Sequence, residues 1–332
     1  MQTENRPFLI TEHLAFSLLI ESDQAALQEL LGDPEIMYAW EHGFSAEEVK
    51  DWLAENLRRY RGDGHSYWAV RLRADGSLVG VMGILEEQVA GAAHTGIGYI
   101  LHKRCWGKGY AAEGTAALCQ YAFYNLQLPI LTAQIRTNNL ASQRVASGLG
   151  MEAVREFAKL YRGQNMPHLL YRLTEDNWQQ QGAKGKVIMQ IKTGKKRFLP
   201  LLLLGDEEEA MIDRYLERGE LFALYDGGLK AVAVVTREAE TVFELKNLAV
   251  EPAAQRQGYG KYLIETLCAL YGRTGRKMLA GTGEVPSVLN FYAACDFTRS
   301  HAVKNFFVDN YPQPIFEGDI QLVDMVYLER LL

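Results

Sequence analysis

The sequence predicts an α/β (α+β) chain of two domains built alike, and three observations carry that expectation. A glycine-rich turn between a strand-like run and a helical run occurs twice, once in each half. The elements around the two copies follow one order: helix, hairpin, strand, turn, helix, strand, helix, strand. The 332 residues, 48% of them hydrophobic, suffice for two cores of ordinary size.

The first turn reads Arg104-Cys105-Trp106-Gly107-Lys108-Gly109-Tyr110-Ala111 and the second Gln255-Arg256-Gln257-Gly258-Tyr259-Gly260-Lys261. Both fit the pattern Q/R-x-x-G-x-G/A. Consecutive backbone N–H groups in such a turn converge on one point, and the helix N-terminus behind them adds roughly half a positive charge. Glycine lets the backbone approach a ligand that a Cβ would hold off. The expected ligand is a diphosphate. One such pattern alone is equally well a plain strand-to-helix turn; two in matching surroundings favour a ligand. The phosphate loop G-x-x-x-x-G-K-[ST] and the dinucleotide pattern G-x-G-x-x-G are absent, which disfavours a nucleoside triphosphate or NAD.

Composition narrows the partners. Net charge is −6, from 35 basic and 41 acidic residues. No basic stripe dominates, so nucleic acid is not expected. The four cysteines, Cys105, Cys119, Cys268 and Cys295, lack metal-ligand spacing and suit a reducing cytosol. The histidines form no close pair, so no metal is expected. No apolar run reaches about 18 residues, and the N-terminus carries no cationic-then-apolar signal. The expectation is a soluble cytoplasmic protein without a membrane segment.

Residues 1–63 read as helical and acidic, with thirteen acidic residues against five basic. Asp23 is placed to cap a helix through Leu27, Leu30 and Leu31. Ser45 with Glu48 forms a capping box before Val49, Trp52, Leu53 and Leu57. The excess charge is read as a solvated face ahead of the alternative, steering of a cationic substrate. His65 to Leu72, the turn Asp75-Gly76 and Leu78 to Leu85 form a hairpin. Gly98 to Leu101 leads into the first turn. A helix from Ala111 to Tyr124, a strand from Ile130 to Ile135, a helix capped at Asn139 to Ser142 and a strand over 168–173 complete the unit.

The polar stretch Glu175 to Lys186, with Gly182 and Gly185, reads as a connection. The expected division is a first domain over 1–178, a linker over 179–186 and a second domain over 187–332. In the second domain the expected elements are a helix from Glu207 to Leu216, strands from Leu221 to Tyr225 and Ala231 to Thr236, and the strand Phe243 to Val250. After the second turn come a helix from Tyr262 to Tyr271, a strand from Lys277 to Thr282, a helix from Ser287 to Ala294 and closing strands. The basic cluster Lys192, Lys195, Lys196 and Arg197 reads as solvated.

Both halves resemble the GCN5-related N-acetyltransferase (GNAT) superfamily. In the first half the resemblance rests on Gly98-Tyr99, on Trp106 through Glu113, on Asn139-Leu140-Ala141-Ser142 and on Leu149-Gly150-Met151, and it points to the branch that acetylates ribosomal-protein N-termini. In the second it rests on Leu245 through Pro252, on Asn290 through Phe297 and on Tyr311 through Gly318, and it points to a small bacterial branch. Asp296 stands where the family usually has glycine.

The resemblance implies two GNAT domains, each a mixed, mainly antiparallel twisted sheet flanked by helices. It implies acetyl-CoA as cofactor, with as many as two molecules per chain. The implied reaction is direct transfer of the acetyl group to an amine, either a small molecule or a basic peptide or protein N-terminus. Residues of both turns, Arg104 and Trp106 through Ala111 in one and Gln255 through Lys261 in the other, would hold the cofactor. Asn139, Asn290 and the backbone of Leu248 and Val250 would assist. An alkylamine is mostly protonated at pH 7, its pKa being about 10, so a carboxylate must take its proton.

Glu244 matches the family's base, and Tyr292 and Ser142 match its proton donors. The alternative readings are an exposed strand carboxylate, a core aromatic and a helix cap. In the first half Gly96 stands where an acid is expected, and Tyr161 where another is sometimes used. Glu86, Glu87, His94 and Glu156 are the substitutes. The alternative function is a chain with one catalytic domain, the other (the first rather than the second) being a non-catalytic acyl-CoA-binding or interface module.

Overall fold

The computed structural model describes residues 5–89, 91–181 and 185–332. The chain divides into two compact units, Met1–Val187 and Ile188–Leu332. The expected linker over 179–186 lies partly outside the described residues.

In the first unit, β1 (Leu9–Ile10) and β2 (Leu14–Ser17) precede α1 (Gln24–Leu31) and α2 (Ala46–Gly62). Strands β3 (Tyr67–Leu72), β4 (Leu78–Val89) and β5 (Ala92–Leu101) follow, then α3 (Tyr110–Gln120), β6 (Ile130–Arg136), α4 (Leu140–Gly148), β7 (Glu152–Tyr161), β8 (Gln164–Thr174) and α5 (Glu175–Gln181). The strands lie in the order β1-β2-β3-β4-β5-β6-β8-β7. Every pairing is antiparallel except β5 with β6.

Leu27, Leu30 and Leu31 recur at helical spacing on α1 and are fully buried with Val49 and Leu53 of α2, against Ala69, Val81 and Ile100 of the sheet. Each such leucine contributes roughly 1.5–3 kcal/mol of transfer free energy. Ser45 and Glu48 close their capping box in both directions, at 3.3 and 2.8 Å.

The second unit takes in β9 (Val187–Ile191, its first residue at the boundary), α6 (Leu199–Leu202), α7 (Glu209–Leu216), β10 (Glu220–Tyr225), β11 (Leu229–Ala239) and β12 (Val242–Val250). It continues with α8 (Tyr259–Tyr271), β13 (Lys277–Gly283), α9 (Pro286–Ala293), β14 (Thr298–Val303), α10 (Phe306–Asn310), β15 (Phe316–Glu317), β16 (Ile320–Gln321) and β17 (Met325–Leu331). The order is β9-β10-β11-β12-β13-β17-β14, with β15 and β16 as a separate ribbon. The pairing of β12 with β13 is parallel. Each unit is therefore a mixed, mainly antiparallel sheet with flanking helices.

Several local expectations are corrected. The N-terminal stretch is not wholly helical: Leu9–Ile10 and Leu14–Ser17 are strands, too short to show an alternating pattern. Asp23 makes no side-chain cap to α1. It is buried, accepts from the Ile20 N–H at 3.0 Å and pairs with Arg71. Other acids of this stretch are also paired, Glu55 with Arg58 and Arg59, Asp33 and Glu35 with Lys103, and Glu41 with Arg136.

The polar stretch from Glu175 begins as helix α5 rather than as a free connection. Lys195 is not solvated. It is 7% exposed and its ammonium donates to the carbonyls of Leu216, Glu217 and Gly219 at 2.9, 3.0 and 2.8 Å, closing the C-terminus of α7. Those carbonyls have no continuing helical turn to satisfy them, and a cation suits the negative helix end. Lys195→Met is expected to destabilise the second unit by about 2–3 kcal/mol, read as a lower denaturant midpoint; an unchanged midpoint would show that water replaces the ammonium without cost.

Candidate active sites

The two glycine-rich turns are held alike. Gly109 and Gly258 stand immediately before α3 and α8 with φ +83° and +85°. No heavy atom lies within 4 Å of a Cβ built at Gly107, Gly109 or Gly258. The space in front of each turn is thus open to a ligand, and the first N–H groups of the helix face no intrahelical acceptor.

The helices also correct the register between the copies. Trp106 Nε1 donates to the Leu101 carbonyl at 2.9 Å, and Gln255 Nε2 donates to the Val250 carbonyl at 3.3 Å. Each donor sits three residues before the capping glycine and reaches the end of the preceding strand. Gln255 therefore corresponds to Trp106, and the Q/R-x-x-G-x-G/A match that paired it with Arg104 is offset by two residues. Arg104 donates instead to the Leu78 carbonyl at 3.0 Å. In this register Gly107, at φ +70°, corresponds to Arg256, a left-handed non-glycine at φ +59°. Such a residue stores on the order of 1 kcal/mol of strain. Tyr259 donates to Asp226 at 3.0 Å and Lys261 to the Ala294 carbonyl at 2.8 Å.

Beside each turn the sheet opens. Strand β5 pairs with β6 only at Gly96↔Thr132. Strand β12 pairs with β13 from Val242 to Leu245, and a bulge against β11 leaves Lys246 without an opposite residue. Extra residues in one strand bend it away from its neighbour. The edges of Ile97–Leu101 and of 246–250, with Leu248 and Val250, consequently face an opening.

In the first unit that opening holds two cavities with shared walls. One, of about 420 Å³, runs from Trp106, Gly107, Gly109, Tyr110 and Ala111 to Asn139 and Ser142. The other, of about 190 Å³, is lined by Trp40, Tyr67, Glu87, Tyr161 and His168 among others. Tyr99, Asn139 and Ser142 line both. Tyr99 donates to Ser142 Oγ at 3.0 Å, and burial pushes its phenol upward in pKa. Asn139, not Ser142, caps α4, its Oδ1 accepting from the Ser142 N–H at 3.0 Å.

Of the substitute bases, only Glu87 lines the smaller cavity, together with Tyr161. Glu86 instead accepts from Thr95 at 2.8 Å, and Glu156 is exposed on β7. His168, unmarked in the sequence, is buried there with Nδ1 2.9 Å from the Met166 carbonyl, and burial lowers its pKa. It sits on β8, a closing strand whose apolar pattern gave no signal for a polar residue.

In the second unit Glu244 is 6% exposed and paired with Lys246 at 2.7 Å. Tyr327, bonded to the same carboxylate, has its phenol pushed up to about 12 by burial and then by the Glu244 charge. Tyr292 is 8% exposed with its ring edge-on to Phe291 and Phe297. Burial raises its phenol above the usual value. Asn290 lies about one turn into α9 and is exposed. Asp296 is left-handed at φ +62° where Gly150 has φ +79°. Counting back from these residues, Tyr292 corresponds to Ala146, so Ser142 and Tyr292 occupy different turns of their helices. Among the described residues no group of His, Cys, Asp or Glu is arranged to hold a metal, and no helix is long and apolar enough to cross a membrane.

Comparisons with known proteins find relatives of both units. A family model described as an acetyltransferase (GNAT) domain matches residues 13–152, and a second with the same description matches residues 217–299. The uncharacterized protein YkkB of Bacillus subtilis (strain 168) is 32% identical over 164 residues, covering 49% of this chain and 93% of that protein. The uncharacterized N-acetyltransferase YvbK of the same organism is 34% identical over 131 residues, covering 39% and 84%. A crystal structure of a GNAT family acetyltransferase from Elizabethkingia anophelis with acetyl-CoA bound is 33% identical, covers 44% of this chain and 98% of that one, and has a TM-score of 0.43. With a capped glycine turn beside an opened sheet in each unit, and a family match to each, the chain belongs to the GNAT acetyltransferases and carries the domain twice.

Proposed function

We propose that each unit binds acetyl-CoA at its glycine-rich turn and that the chain transfers the acetyl group directly to an amine. One observation carries the reading. In the first unit a channel runs from the turn to Tyr99 and Ser142 and there shares its walls with a second, smaller cavity. That is the arrangement a two-substrate transfer needs: a cofactor arm arriving from one side and an acceptor from the other. Bound acetyl-CoA would supply an activated acetyl group. The N–H groups at Gly107–Tyr110 and Arg256–Tyr259 would hold its diphosphate, and Asn139 and Asn290 its arm.

The chain's own side chains supply the proton handling. In the second unit Glu244 takes the proton of the amine and the Tyr292 hydroxyl gives one to the departing sulfur. In the first unit Ser142, receiving the Tyr99 hydroxyl, is the corresponding donor. The acceptor is a small amine or a peptide N-terminus. Because Asp23, Asp33, Glu35, Glu41, Glu48 and Glu55 pair with nearby cations, the field of residues 1–63 over the site is weaker than their acid count implies.

The Lys246 pair favours a narrower reading in which the second unit is idle as it stands, since an ammonium already occupies its carboxylate. Thiol release from acetyl-CoA with a panel of amines separates the two readings. Glu244→Gln in the full chain is expected to lower the part of the activity that Ser142→Ala leaves, by about 100-fold at pH 7 and by less at alkaline pH, where free amine is abundant. If Ser142→Ala alone removes all thiol release, only the first unit is active. Raising the ionic strength is expected to change kcat/KM for spermidine by less than about threefold; a steep decline would restore the steering role of the acidic stretch.

A further inference from the structure

We infer that Glu87 is the general base of the first unit, set into a space that Gly96 leaves vacant on the neighbouring strand; the inference rests on the reading of this unit as an acetyltransferase. Glu87 on β4 lies opposite His94, and Leu85 lies opposite Gly96, so Glu87 reaches diagonally across the pleat. A Cβ built at Gly96 would lie 2.8 Å from Glu87 Oε2. Real Cβ atoms do not come that close to an oxygen, so any side chain at 96 would displace this carboxylate. The acid that the sequence lacks at 96 is thus replaced, in the same region of space, by one from the adjacent strand.

The next glycine of the strand behaves alike. A Cβ at Gly98 would lie 2.5 Å from Tyr67 Oη. Two glycines on one face of β5 clear the floor of the cavity for two polar groups from β4 and β3, each of which lines it. The carboxyl side chain is 25% exposed, so it meets the cavity without being sealed from it. The opened edge of β5 begins one residue further on, and Tyr99 and Ser142 stand beyond. An amine in this cavity would therefore have a carboxylate on one side and the hydroxyl pair on the other.

Other charged and titratable groups face Glu87. They are Tyr67 from β3, whose phenol is raised by burial and then by the Glu87 charge, Lys159 from β7 with its ammonium 4.0 Å from Oε1, and His168 from β8. Lys159 is also held by Gln134 Oε1 at 3.3 Å, which draws it from the carboxylate. In the reaction Glu87 takes one proton from the alkylammonium and passes it to solvent. The freed nitrogen forms a bond to the acetyl carbon as the carbon–sulfur bond breaks. The second N–H proton goes to the departing sulfur by way of Ser142 and Tyr99, leaving amide and thiol. The favoured acceptor is a primary amine that is charged in water.

The test uses the full chain carrying Arg256→Glu and Gln257→Glu, which place two carboxylates at the second turn. Calorimetry with CoA should then give one site per chain. Thiol release from acetyl-CoA is followed with n-butylamine and with hydroxylamine, which is largely unprotonated at neutral pH and needs no base. Glu87→Gln is expected to leave CoA binding unchanged, to slow the n-butylamine reaction by about 100-fold at pH 7 with the deficit closing toward pH 10, and to change the hydroxylamine rate less than about threefold. Glu87→Ala/Gly96→Glu, which returns a carboxylate to the same space from β5, should recover at least about tenfold of what Glu87→Ala loses.

Loss that is equal at every pH and for both nucleophiles would make Glu87 structural and overturn the proposal. So would no loss, or the same pH-dependent profile appearing for His168→Asn instead. If the parent binds no CoA at the first turn, or releases thiol no faster than buffer with either nucleophile, the first unit is not an acetyltransferase and the proposal falls with that reading.

Discussion

The parting of two parallel strands is the constraint on which both units depend. Parallel neighbours in a sheet satisfy each other's backbone groups, and most such pairs run for the length of the strands. Here β5 leaves β6 after one residue pair, and β12 leaves β13 after four. In the second unit the cause is visible: Lys246 is an extra residue against β11 and bends the strand. The freed edge is useful only because the turn that follows presents N–H groups of its own and the helix after it begins at a left-handed glycine. Edge, turn and helix start thus lie side by side along one opening, suited to an extended ligand with a diphosphate at one end.

The units differ in what surrounds that surface. In the first, glycines at 96 and 98 hollow out the sheet face, and the cavity contains Glu87, Tyr67 and His168. In the second, the carboxylate of Glu244 already has Lys246 and Tyr327 as partners. The residues that match the family pattern most fully lie in the second unit, while the first has two cavities beside its turn. A matched residue type therefore says little about readiness, because the partner that engages it sits on the same strand two residues away.

Much was legible from the chain alone. The turns, the capping box at Ser45 and Glu48, the hairpins and the helix start at Asn139 rest on local rules that act over a few residues. What escaped has a common physical origin in longer-range contact. The two-residue and four-residue strands β1 and β2 are specified by their neighbours, not by their own pattern. Lys195 looks like any basic surface residue until the C-terminus of α7 is brought to it. The register of the two turns was misread by two residues because the glycine spacing fits in either alignment; only the reach of Trp106 and Gln255 to the preceding strand decides it. Glu87 was one weak candidate among four, because its case depends on an absence, the missing Cβ across the strand at Gly96.

Both units are argued to cradle the same diphosphate, and backbone amide exchange with and without CoA addresses that directly. Slowed exchange is predicted at Gly107–Tyr110 and at Arg256–Tyr259 together, with little change elsewhere in α3 and α8. Protection in neither turn, or in one turn at saturating CoA, would contradict the account.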